Sequence, residues 1–125
     1  MNVLLVAAGG ALGAAARYLA GLWIVARFGA GFPWGTFFVN VTGSFLIGIV
    51  LVLVERGALP AEARLFVAVG LCGGYTTFSS FSYETLQLLN GGDAAPVLLN
   101  IFGQVLFCLL AVYLGVVFAR VLGGI

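Results

Sequence analysis

The chain has 125 residues, 63% of them hydrophobic and 7% charged, with five arginines, no lysine, no histidine and a formal net charge of +1. Mean hydropathy is +1.23, and a soluble domain would carry about 25% charged residues, so the chain lacks a solvated face and reads as an all-α integral membrane protein forming one domain over 1–125. Four carboxylates (Glu55, Glu62, Glu84 and Asp93) and no histidine exclude a histidine-based triad or metal centre, which argues against an enzyme, and a nucleic-acid partner would need a clustered basic footprint that is missing.

Crossing the hydrocarbon core takes about 20 apolar residues, and four segments qualify: 3–26, 34–54, 61–90 and 95–119. The first ends its initial apolar run in "AAA" (14–16), like a cleavage site. No basic residue precedes that run and it continues past Arg17, so it reads as a first span and not as a cleaved leader. Gly9 and Gly13 in this span, Gly70 and Gly74 in the third, and Ala111, Gly115 and Ala119 in the fourth repeat every four residues, a spacing that lets helix backbones approach closely. The links "RFGAGFP", "ERGALP" and "NGGDAAP" hold the glycine, proline and charge of turns.

With four spans, both termini lie on one side. Arg56, Arg64 and Arg120 then face Arg27 across the membrane, while Arg17 falls inside a span. This weak bias favours termini inside and permits insertion in both orientations. Four short helices barely enclose a water-filled path, so a dimer is expected.

Polar residues recur along three of the spans. Thr36, Asn40 and Ser44 share one face of the second, and Asn100, Gln104 and Cys108 one face of the fourth. In the third, Phe78 and Phe81 share a face with Ser82 and Thr85. Such residues serve as interhelical glue or line a polar path. The third span also contains "GGYTTFSSFSYE" (73–84), whose Gly73-Gly74 followed by Tyr75-Thr76-Thr77 has poor helix propensity. A break there, near Gly73–Thr77, frees backbone carbonyls. They can bind a hard cation, or threonine hydroxyls can cap the backbone at a simple kink. The rings of Phe78 and Phe81 can pack in the core. Alternatively, their positive edges can favour an anion, with the Asn40 amide as a donor. Cys72 and Cys108 lie in apolar runs and read as small buried residues.

"GGALGAAARY" (9–18), "WGTFFVNVTGSFLIG" (34–48) and "GLCGGYTTFSSFSYE" (70–84) resemble the signature segments of the Fluc fluoride channels, also called the CrcB family, in order and spacing over nearly the whole chain. The resemblance implies an antiparallel, dual-topology homodimer in the cell inner (plasma) membrane, contacting lipid on its outer face. It implies two pores that export fluoride passively and lower its toxicity, and a structural sodium ion (Na+) at the dimer centre. Asn40 matches the family's pore asparagine, and Phe78 and Phe81 its paired pore phenylalanines. The carbonyls of Gly73 and Thr76 match the sodium ligands. Arg17 and Glu84 match family positions assigned here to a vestibule or gate. Thr36, Ser79, Ser80, Asn100 and Gln104 complete the expected pore lining. Asn100 and Gln104 stand where the family commonly has a tyrosine and a serine, and Tyr75 replaces its usual phenylalanine. The rival readings are a small multidrug-type antiporter, which needs a glutamate in the first span where this chain has Arg17, and a membrane assembly subunit, which leaves Asn40 and the rings unexplained.

Overall fold

The computed structural model describes residues 1–124, and all regular structure among them is helical. Four helical spans are long and apolar enough to cross a membrane. They are α1 (Asn2–Phe28), α2 (Trp34–Glu55), a composite third span (Ala61–Asn90) and α6 (Ala94–Leu122). Each of the four matches an expected segment, and α1 and α6 run a few residues longer. The 29 residues of α6 reach about 43 Å at 1.5 Å per residue, beyond the roughly 30 Å of a hydrocarbon core. Helical backbone therefore continues into the interface, where Arg27 and Arg120 lie in the last turns of α1 and α6 and can extend their charges to water. Arg27 also stacks over the Trp23 ring at 4.9 Å. In each of the three links a glycine (Gly29, Gly57 or Gly92) takes a positive φ that side-chain-bearing residues rarely adopt.

The third span is assembled from pieces. A short α3 (Ala61–Ala63) runs into a π-helix (Arg64–Cys72) and then α4 (Gly73–Tyr75). Thr76 and Thr77 are extended, at φ/ψ −87/158 and −152/120, and α5 (Phe78–Asn90) follows. Gly73 and Gly74 themselves stay helical. The reason lies in packing: a Cβ on Gly74 would meet the Gly10 carbonyl, and one on Gly70 the Val6 carbonyl. From the other side, Cβ atoms on Gly9 and Gly13 would meet the carbonyls of Phe66 and Leu71. The two G-x-x-x-G pairs thus face each other and dock α1 on the third span, so the glycines serve contact and the chain turns extended two residues later, at Thr76. The π-helix is a feature that residue periodicity did not reveal.

α2 and α6 form the second tight pair. Gly48 sits on the Val112 carbonyl and Gly115 on that of Phe45, while Ala111 and Ala119 are buried beside them. Gly43 makes room for the Thr76 methyl and the Tyr75 ring, and the Tyr75 hydroxyl shares a 2.9 Å hydrogen bond with Thr42. By contrast, no residue of α5 is fully buried.

A paired substitution tests the glycine contact. Gly13→Ala forces a methyl into backbone, while Gly10→Ala meets only ordinary van der Waals contact. Overpacking of this kind costs about 1–3 kcal/mol, so Gly13→Ala is expected to lower the thermal midpoint in detergent clearly and Gly10→Ala to leave it near wild type. Equal midpoints for the two would show that α1 slides freely on the third span.

Candidate functional site

The extended residues organise the site. Thr77 is the N-cap of α5, and its hydroxyl accepts the Ser80 backbone N–H at 3.1 Å. This is the ordinary N-cap preference of threonine, and it leaves the Thr77 backbone N–H and C=O facing α2. Asn40 pairs with both: its Oδ1 accepts from Thr77 N at 2.8 Å, and its Nδ2 donates to the Thr77 carbonyl at 3.1 Å. A backbone N–H can only donate, so this pairing fixes which end of the Asn40 amide is oxygen.

That orientation propagates. The other Nδ2 hydrogen of Asn40 goes to Gln104 Oε1 at 2.8 Å. Gln104 Nε2 donates to Asn100 Oδ1 at 2.8 Å, and Asn100 Nδ2 to Thr85 Oγ1 at 2.9 Å. The Thr85 hydroxyl then donates to the Phe81 carbonyl at 2.6 Å. Three helices and the extended segment are joined by one directed relay, which draws on all three polar stripes. Asn100 is 0% and Gln104 3% exposed. Leaving such a buried amide without its partner costs about 1–3 kcal/mol, more than each bond contributes net. By donor count, Asn40 has no N–H left over, while Gln104 and Asn100 each keep one.

Two cavities flank the extended segment, and Thr77 lines both. The first, of about 360 Å³, is lined by Asn40, Ser44, Gln104, Phe78 and Phe81 together with Thr76. The Phe78 and Phe81 ring centroids are 5.4 Å apart and tilted by 44°. Phe78 is 79% exposed, so its ring is largely uncovered. The second cavity, of about 810 Å³, is lined by Arg17, Thr36, Ser80 and Glu84. Here the Thr36 hydroxyl donates to Glu84 Oε1 at 2.8 Å, and Glu84 Oε2 is buried without a partner. The Thr36–Asn40–Ser44 stripe therefore divides, with Thr36 on one side of the wall and Asn40 and Ser44 on the other. Asn100 lines neither cavity and acts inside the relay. Ser79 is exposed, lines neither cavity and shares a 3.3 Å hydrogen bond with the Thr77 hydroxyl.

Carbonyls beside the extended residues meet different partners. Arg17 Nε donates to the Gly74 carbonyl at 3.0 Å. The Thr76 hydroxyl donates to the Cys72 carbonyl at 2.8 Å, which spends its hydrogen within its own helical turn. Gly73 and Thr76 both border the first cavity, and the space beside Gly73 is open. Among the described residues no group of His, Cys, Asp or Glu could hold a metal, and hard carbonyl oxygen remains as the donor set, one that suits an alkali cation.

Thr77 was not singled out from the sequence, although it carries the Asn40 pairing. Its signal was present in retrospect, as a threonine three residues before Ser80 at a helix start.

Residues 4–116 match the family model "CrcB-like protein, Camphor Resistance (CrcB)". A protein of Thermus thermophilus named fluoride-specific ion channel FluC is 59% identical over 112 residues, covering 90% of this chain and 88% of that protein. A Rhizobium meliloti protein of the same name is 50% identical over 121 residues, covering 95% and 96% respectively. One from Anaeromyxobacter dehalogenans is 46% identical over 124 residues, with 98% of each chain covered.

Proposed function

Because the chain belongs to the CrcB-like family, whose relatives named above are ion channels and not enzymes, we propose that it is a fluoride channel of the plasma membrane, exporting the ion passively. The observation that carries this reading is the meeting of Asn40, Gln104 and the rings of Phe78 and Phe81 on one cavity beside the extended segment. Fluoride is small and strongly hydrated, so a path must replace its water hydrogen bonds in stages. Amide N–H groups and positive ring edges do this without a full positive charge, and conduction needs weak serial sites. An ion at Asn40 takes over an N–H now held by Thr77 or Gln104, an exchange of one acceptor for another.

The extended residues favour the same chemistry from the backbone. α5 begins there with its N-terminal N–H groups and α4 ends there with its carbonyls. One half-helix end therefore attracts an anion and the other a cation. Arg17 and Glu84 would form the vestibule on the other side of Thr77.

A second copy completes the assembly. Phe78 is largely uncovered, the first cavity opens on one side, and two antiparallel copies would give two equivalent paths. Gly73 and Thr76 of each copy would supply backbone carbonyls to a shared sodium ion, whose bound charge would hold the two breaks together.

Liposomes loaded with both halides and read by fluoride and chloride electrodes test the reading. Fluoride should leave and chloride should stay, and equal rates would sink it. Phe81→Ile keeps an apolar side chain but removes the ring quadrupole, worth about 1 kcal/mol. Flux should then fall roughly five- to tenfold, with an unchanged elution profile. Wild-type flux in this variant would return Phe81 to a packing role.

A further inference from the structure

The helix carrying both rings has no fully buried residue, so apolar packing within the subunit anchors it weakly. Its polar attachments add to that hold. At its start, Asn40 grips the backbone of Thr77 by two hydrogen bonds. About two turns further on, Asn100 reaches Thr85, whose hydroxyl returns to the Phe81 carbonyl. Gln104 joins the two grips by bonding Asn40 on one side and Asn100 on the other.

We propose that Gln104, Asn100 and Thr85 are positioning residues that set where the Phe81 ring stands relative to Asn40, an inference that rests on the channel function above. Every amide in the relay has only one orientation that satisfies its neighbours, because the Thr77 N–H dictates the first and each donor dictates the next acceptor. The ring is therefore held at a single register along the path. The relay ends inside α5, where the Thr85 hydroxyl bonds the carbonyl of Phe81 one turn back, so it ties the ring-bearing turn to α6. Asn100 is sealed from both cavities, so its effect on an ion has to pass through the residues it holds.

Thr85→Val tests this directly, since it preserves shape, removes the hydroxyl and strands the Asn100 Nδ2 donor. Thr85→Ser restores the hydroxyl. Each is prepared with 4-fluorophenylalanine at position 81 for ¹⁹F NMR, and without it for fluoride efflux from liposomes and thermal unfolding. Thr85→Val is expected to split or broaden the single ring resonance and to lower flux about tenfold, with a monodisperse elution profile and an unfolding midpoint lowered by the stranded Asn100 donor. Thr85→Ser is expected to return one sharp resonance and most of the flux. A sharp wild-type resonance with wild-type flux in Thr85→Val overturns the proposal, as does a Thr85→Ser protein that behaves like Thr85→Val. If Thr85→Val does not fold, Asn100→Leu breaks the relay at a residue that lines neither cavity and is read in the same way. If the wild-type protein passes no fluoride, the function above fails, and the ring resonance still decides the relay.

Discussion

Asn40→Asp is expected to stop fluoride flux while leaving the protein folded. The new carboxylate keeps its acceptor for the Thr77 N–H but has no hydrogen for the Thr77 carbonyl or for Gln104 Oε1, which lie 3.1 and 2.8 Å from the present nitrogen. Oxygen then faces oxygen at both places. Gln104 can relieve one clash by turning its amide, and that turn reverses every bond as far as Thr85. The larger effect is on the ion. Two unit charges about 4 Å apart repel by roughly 4 kcal/mol at an effective dielectric near 20, and about 1.36 kcal/mol is tenfold in rate, so flux should drop on the order of a thousandfold. Efflux from liposomes beside a size-exclusion profile is the measurement. A monodisperse Asn40→Asp protein carrying fluoride at the wild-type rate would remove Asn40 from the path.

A change far from the path should be equally severe if two antiparallel copies make the channel. Arg17 is engaged with the Gly74 carbonyl inside the third span's packing, so the orientation bias rests on Arg56, Arg64 and Arg120 against Arg27. Glu55, the last residue of α2, and Ala58, in the link that follows, are both exposed. Glu55→Lys with Ala58→Lys strengthens the existing bias enough to trap one orientation. Expressed alone, that variant should show no fluoride flux. Flux should return on co-expression with an oppositely trapped partner carrying Ala30→Lys and Ala94→Lys, both exposed sites in or beside the other links. Full flux from a variant shown by accessibility labelling to insert one way only would exclude antiparallel pairing.

The spans were legible in the sequence because hydropathy over 20 residues reports the bilayer directly, and the ends moved outward because helical backbone does not stop where apolar side chains do. The glycine spacing also read correctly as close helix contact. The location of the extended residues was only partly legible. Glycine pairs suggest a bend by propensity, but Gly74 is held helical against Gly10, and Thr76 and Thr77 take the extended conformation instead. Propensity is local, and the contact that overrides it is not. The same limit applies to the site. Residue type and period could place Asn40, Gln104 and Thr85 on the faces of three separate helices. They could not show that Thr36 turns to Glu84 while Asn40, one turn on, turns to Thr77. Nor could they show the order of donors, which depends on a backbone N–H presented by the interruption.

The directed relay also bears on what else could travel this way. A carboxamide nitrogen offers hydrogens but no basic lone pair, so an excess proton reaching Asn40 cannot hop onward through Gln104 and Asn100 as it would through water or an imidazole. The side chains at the middle of the bundle are thus electrically polar and protonically insulating. Proton hopping along the relay itself is thereby closed, and the route left to a proton is the one that water takes through the two cavities.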